Sequence, residues 1–328
     1  MPICVGPSAS AVHIAPTLTL NSSTNYNQNS GVLNATVTTT GNRAVTSVEF
    51  QWSTSASFAS GNSAWTVAST NTTISQGATG TARAVTATSL GNNTTYYVRF
   101  RTTNSSGFVT TSSIGASFKT YKLNAVPFTG SSTWTNPVPS SGTSGLAITQ
   151  LLNLEARAGG GGSAAFFGGA NGGGAGARST ASSGTISGNV VVTVGAGGAL
   201  FAGDGGATSI GSVLSVNGGI NGSDSISQAY GGSSGNGNIG GQPLQIMGGF
   251  FAGGGGGGTN GVGGNGYDSG GNYIGGAGGA GWASGYGEGG QGWDDFHPAA
   301  DGGAQTGNGA TESGAGGSGY AYFEYWGP

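Results

Sequence analysis

Short runs of apolar–polar alternation, each closed by turn residues, fill residues 14–121. Leu18 and Leu20 alternate with threonine, and Leu33, Ala35 and Val37 follow the turn Asn29-Ser30-Gly31. Val48, Phe50 and Trp52 come after Gly41-Asn42, then Tyr96, Val98 and Phe100, and last Ile114, Ala116 and Phe118. A period of two puts each set on one face of a strand, so the pattern predicts an all-β domain of two packed sheets. Trp52 and Tyr96 fall with the core sets; a ligand platform is the alternative use for them. Arg99 and Arg101 lie between the core positions and are expected to face water.

The alternation fades after residue 121. Residues 122–158 form a bridge, in which Leu146 to Ala158 is an apolar segment that reads as either strand or helix. From residue 159 glycine takes over. Residues 159–328 hold 61 of the 73 glycines, and residues 1–158 hold 12. Charge divides at the same place. The first 158 residues carry seven Lys/Arg against Glu49 and Glu155, whereas the remainder carries Arg178 against nine acids. Two such compositions predict two modules: an N-terminal segment 1–13, a β-sandwich 14–121, a connecting segment with the first strand of the C-terminal domain at 122–158, and a glycine-rich domain 159–328.

Glycine loses more freedom on ordering than any other residue, so a dense tract is by default a flexible linker or a disordered tail. Two features favour a folded domain. Large aromatics are threaded through the tract, among them Phe166, Phe201, Phe250, Tyr267, Tyr273, Trp282 and Trp293, and linkers do not carry these. Some glycines also recur at a step of three, as at Gly258, Gly261, Gly264 and at Gly275, Gly278, Gly281. Three residues per turn is the repeat of a polyproline-II-type helix. Without side chains such polyglycine helices can approach until their backbone N–H and C=O groups pair. Collagen is excluded, since it needs strict Gly-X-Y and abundant proline, and this half has three prolines. An ice-binding face fits poorly with the irregular aromatic insertions.

Several stretches resemble known families. Leu90 to Arg101, with Tyr96 in its middle, resembles the approach to the sixth strand of a fibronectin type III domain, and Ala116 to Thr120 resembles its last strand. The resemblance implies that Tyr96 ties its strand to the preceding loop. The family's proline in that turn is Asn92 here. Further on, Phe128-Thr129-Gly130-Ser131-Ser132-Thr133-Trp134-Thr135-Asn136-Pro137 resembles the opening of the glycine-rich terminal domains of tailed-bacteriophage minor tail proteins and tail-fibre adhesins. Asn189 to Gly198 is similar to their strand-and-glycine turn, and Gly319 to Trp326 to their aromatic closing strand. This second resemblance implies a virion tail component at the tail tip or fibre. It would be extracellular, commonly homotrimeric, packed among other tail proteins, and engaged in host attachment as an adhesin.

Charge and motif narrow the chemistry. The glycine-rich half is acidic, which argues against nucleic-acid binding. No run of 18 apolar residues occurs, so no membrane span is expected. Met1 to Val5 lacks the basic and apolar regions of a secretory leader. Cys4 is the single cysteine, which excludes an internal disulfide. Sequons such as Asn71, Asn93 and Asn104 arise readily in a Ser/Thr/Asn-rich chain. Gly231 to Gly235 matches G-x-S-x-G without the strand–turn–helix a nucleophile elbow needs. Residues 159–328 contain no lysine, so no phosphate-cradling loop is expected. Asp294-Asp295 is an adjacent acidic pair that suits a glycosidase poorly, and a metal there is the weaker alternative to solvated loop acids. No enzyme activity and no cofactor are expected. Binding is what remains. Trp282, Tyr286, Trp293 and Phe296, with Tyr267 and Tyr273, combine rigid aromatics with Gly, Ser and Asn as binding loops do. They serve either as a receptor site or as filler between glycine helices. The acidic charge favours a host-envelope glycan or surface protein over a polyanion.

Overall fold

The computed structural model describes residues 12–56, 66–70, 73–113, 117–141, 145–166, 169–200, 203–222, 257–263, 277–283, 287–290 and 315–328, with shorter stretches at 232, 234–238, 244–246, 249–252, 265, 267–268 and 273–274. For 66–70, 164–166, 169–170, 244–246, 249–252, 267–268 and 273–274 it gives the backbone alone. Among the described residues the chain is all-β, with strands in several antiparallel sheets and no helix. No helix is therefore long and apolar enough to cross a membrane among those residues. The chain divides into two compact units. One runs up to Leu123 and adds Pro137–Ile148 and Trp326–Pro328; the other is Asn124–Asn136 with Thr149–Tyr325. The bridge read from sequence is thus shared between the two units.

In the first unit the strands are β1 (Thr17–Thr24), β2 (Gly31–Thr39), β3 (Val45–Ser53), β4 (Thr66–Thr70), β5 (Thr79–Ala87), β6 (Thr95–Asn104), β7 (Val109–Thr111) and β8 (Ser117–Lys119). One sheet has the order β1-β2-β5; the other has β4-β3-β6-β7, with β8 also on β6. The alternating sets face inward. Leu33, Ala35 and Val37 from β2, Val48, Phe50 and Trp52 from β3, and Val98 and Phe100 from β6 are all buried with Phe118 in one core. Phe50 and Phe100 meet with ring centroids 5.2 Å apart. Trp52 is 5 % exposed, so it belongs to this core. Ile114 and Ala116 lie outside the described residues.

Polar positions of the same strands pair across the sheet. Register sets Arg101 opposite Glu49 and Arg99 opposite Gln51. Arg101 Nε lies 3.1 Å from Glu49 Oε2, and Arg99 Nε donates to Gln51 Oε1. The two arginines expected to face water are consequently half-buried beneath cross-strand partners. Tyr96 Oη accepts a 2.8 Å hydrogen bond from Gly91 N–H, and its ring stacks on Phe118 at 5.8 Å. Segment 137–148 is fastened at Leu146, whose N–H donates to Tyr26 O at 2.8 Å and whose carbonyl accepts from Tyr121 Oη at 2.9 Å. Burial, with Tyr26 nearby, pushes the Tyr121 phenol up to about 12.

The second unit contains β9 (Lys122–Phe128), β10 (Ser132–Trp134), β11 (Gln150–Arg157), β12 (Ala164–Phe166), β13 (Gly169–Asn171), β14 (Arg178–Thr185), β15 (Val190–Thr193), β16 (Thr208–Ile210) and β17 (Leu214–Val216). It continues with β18 (Leu244–Ile246), β19 (Gly249–Ala252), β20 (Tyr267–Asp268), β21 (Tyr273–Ile274) and β22 (Tyr320–Gly327), the first two residues of β9 and the last two of β22 being counted with the first unit. It holds two four-stranded sheets, β14-β11-β22-β9 and β10-β15-β16-β17, and three two-stranded ribbons, β12-β13, β18-β19 and β20-β21. Phe128 and Trp134 pack on Phe323 at 5.3 and 5.5 Å, and Trp134 on Tyr325 at 4.9 Å. Trp134 also pairs with Val190 through β10 and β15. Residues nearly two hundred positions apart thereby close one cluster.

Between the strands, glycine segments bond sideways. Gly159 and Gly162 donate to Gly206 O and Gly203 O at 3.0 and 2.8 Å, and their carbonyls accept from Gly219 and Gly222 at 2.9 and 3.0 Å. Gly160 instead donates to Gly317 O, and Gly161 to Gly174 O, both at 2.8 Å. Partners change at successive residues and return after three. A Cβ built on Gly159, Gly197, Gly205 or Gly218 would overlap the carbonyl oxygen of Ala196, Gly316, Gly159 or Gly205. Glycine is required there by close approach. The step of three read at Gly258 and Gly261 has another origin, because Gly258 N–H donates to Gly261 O at 2.8 Å and closes a local turn. Gly264 and Gly275 lie outside the described residues.

Candidate binding face

The outward face of β11, β14 and β22 brings Glu155, Arg157, Arg178 and Glu324 together with Asn153, Tyr320, Tyr322 and Trp282. Strand β11 determines it. Asn153 has φ of 46°, and the pairing with β22 shifts by one residue between Leu152 and Glu155. This bulge reverses the parity of the strand. Leu151 is buried before it, and Leu154, Ala156 and Ala158 are buried after it. Glu155 and Arg157 then point outward. Register sets Arg157 opposite both Arg178 of β14 and Tyr320 of β22, and Glu155 opposite Tyr322.

Glu155 Oε1 accepts from Arg157 Nε at 2.9 Å and from Arg178 Nε at 2.7 Å. Burial alone would push its carboxyl up, but these hydrogen bonds and the two positive charges together hold it below the usual range. The guanidinium carbons of Arg178 and Arg157 lie 4.2 and 4.7 Å from the centre of the Trp282 ring, and that of Arg157 lies 5.0 Å from the Tyr320 ring. Cation–π contacts of this kind add about 0.5–2 kcal/mol each, depending on desolvation. Trp282 also bounds Gly287, where φ is 68° and a Cβ would strike the indole. On the same face, Glu324 accepts from Tyr322 Oη at 2.5 Å and from Asn153 Nδ2 at 2.6 Å. The first of these bonds, with burial and the Glu324 charge, pushes Tyr322 up to about 12. Both bonds hold Glu324 below the usual carboxylate range.

Of the residues read from sequence as receptor candidates, Trp282 is half-buried in this arrangement. Tyr267 and Tyr273 sit on β20 and β21, opposite Ile274 and Asp268 respectively, and are described by backbone only. Tyr286, Trp293, Phe296 and the acidic pair Asp294 and Asp295 lie outside the described residues. Glu155, Arg157, Arg178, Tyr320, Tyr322, Glu324 and Asn153 were not singled out from sequence. The signal was the alternation Tyr320, Tyr322, Glu324 facing Arg157 and Glu155, hidden on β11 by the bulge.

No family model matches the chain, and no curated protein matches it. Among solved structures, the chain is similar to the sensor domain of the anti-sigma factor RsgI4 of Pseudobacteroides cellulosolvens, at 20 % identity over 34 % of this chain and 97 % of that one. The TM-score is 0.23, and at that value the likeness decides nothing about fold or function.

Proposed function

We propose that this chain is a non-enzymatic tail component of a tailed bacteriophage that binds the host surface through its glycine-rich part. The carrying observation is the convergence of the three sequence landmarks. Phe128 and Trp134 from the first pack on Phe323 and Tyr325 from the third, and β10 of the first pairs with β15 of the second. The glycine segments support the same reading. Hydrogen bonds that return to one neighbour after three residues, with carbonyls filling the Cβ positions, are what packed polyglycine-II-type helices require. The first unit supports a fibronectin type III-like spacer or docking domain: its strands divide as β1-β2-β5 and β4-β3-β6-β7, and Gly91 N–H bonds the Tyr96 hydroxyl. In this reading the aromatic loops around Trp282, Tyr286 and Trp293 meet a host-envelope glycan or surface protein.

A purely structural tail protein is the second reading, favoured by one observation. Trp282 is already engaged by two guanidinium groups, as an internal anchor would be. Antibodies against the chain separate the two on virions of the phage that encodes it. Labelling of the distal tail together with blocked adsorption supports the adhesion reading. Labelling without any effect on adsorption supports the structural one, and unlabelled virions overturn both.

A further inference from the structure

We propose that the outward face of β11 and β22, at Asn153, Glu155, Tyr320, Tyr322 and Glu324, is a binding site for a neutral glycan. Its residues are other than Trp282, Tyr286 and Trp293, although Trp282 borders it through Arg157 and Arg178, and it does not depend on the chain being a tail component. Asn153 is exposed, and Tyr320, Tyr322 and Glu324 are partly so. These groups therefore meet solvent on a sheet whose other side is packed, since Ala321 and Phe323 between them are fully buried.

Three properties select the ligand. First, the face is electrically balanced, with Arg157 and Arg178 against Glu155 and Glu324, so neither a polyanion nor a polycation is favoured by charge. Secondly, its polar groups are planar side chains fixed before any ligand arrives. Glu324 is held by Tyr322 and Asn153, and Glu155 by two arginines, at 2.5–2.9 Å. Carboxylates and amides fixed in this way match the paired hydroxyls of a sugar, and little ordering entropy remains to be lost on binding. Thirdly, Tyr320 and Tyr322 alternate along one strand and supply rings for the apolar C–H surface of a pyranose. The left-handed Asn153, a conformation uncommon outside glycine, is what brings its amide to Glu324.

The test uses the full chain on an array of neutral oligosaccharides (hexose and N-acetylhexosamine oligomers) printed beside sialylated and uronic-acid glycans. Neutral glycans should be retained. Glu324→Gln and Tyr322→Phe should each weaken retention roughly tenfold, as loss of a charged or positioning hydrogen bond does, while each variant stays folded at the assay temperature. Asn153→Gly keeps the positive φ and removes the amide, and should weaken retention similarly. Val191→Ala, at an exposed position of β15 in the other four-stranded sheet, should leave it intact. Failure to retain any neutral glycan, equal or stronger retention of the acidic ones, or face variants that bind like the parent would each overturn the proposal. The virion experiment above is unaffected by any of these outcomes, so the two readings fail separately.

Discussion

A single methyl group tests the packing of the glycine-rich segments. Gly197→Ala would place Cβ against the backbone carbonyl of Gly316, where no flexible side chain can give way. Overpacking of this kind should cost roughly 3 kcal/mol. Gly130→Ala is the control, because its added carbon meets nothing within 4 Å; the change expected is within about 0.5 kcal/mol. Urea unfolding of both variants measures the difference, and equal midpoints would refute the close-packed arrangement. In the first unit, Tyr96→Phe removes the acceptor for Gly91 N–H and should cost about 1 kcal/mol. Hydrogen exchange at Gly91 should quicken while exchange in the glycine segments stays as it was.

At the scale of elements, two titrations read out two tethers. The depressed carboxyl of Glu155 joins β11 and β14 to Trp282 through their arginines. Its stabilisation is present above the unfolded carboxylate value of about 4.3 and is lost as pH falls through the lower folded value. Melting of the second unit should therefore drop on acidification below about pH 4, and Glu155→Gln should flatten that part of the profile. Tyr121 runs the other way. Its phenol, raised to about 12, holds the Leu146 segment most firmly below pH of about 10, the unfolded value, and releases it as pH rises through the folded one. Phenolate absorbance in the parent, set against Tyr121→Phe, follows that release. The strands β2, β3 and β6 were legible because strict alternation survives in each of them. Strand β11 was legible only as strand or helix, since its bulge puts a step of three between the buried Leu151 and Leu154 before alternation resumes at Ala156 and Ala158. The binding face stayed hidden for the same reason. Arg178 looked like a stray cation in an acidic tract, and only strand pairing brings it to Arg157.

For the whole molecule, the two units bury different kinds of surface. The first has a core of Leu, Val, Phe and Trp side chains. Much of the second is backbone bonded to backbone, with alanines among its buried residues. Heat capacity of unfolding rises with apolar exposure and falls with polar exposure. Calorimetry should accordingly give the second unit an increment per residue below the usual 12–15 cal/mol/K or so, and the first unit an ordinary one. Phe50→Leu and Gly197→Ala, each lowering one transition, assign the two. Backbone bonding has another consequence. Every glycine carbonyl is chemically the same, so a segment displaced by three residues finds equivalent partners, much as a featureless strand slips in a sheet. The address of each segment must come from the few side chains among them. The Thr208 hydroxyl accepts a hydrogen bond from Gly195 N–H and donates one to Arg157 O, Asn238 reaches Gly258 O, and Asp204 accepts from Asn221 N–H. In this lattice the glycines supply cohesion, and a handful of polar side chains carry the information about which segment lies beside which.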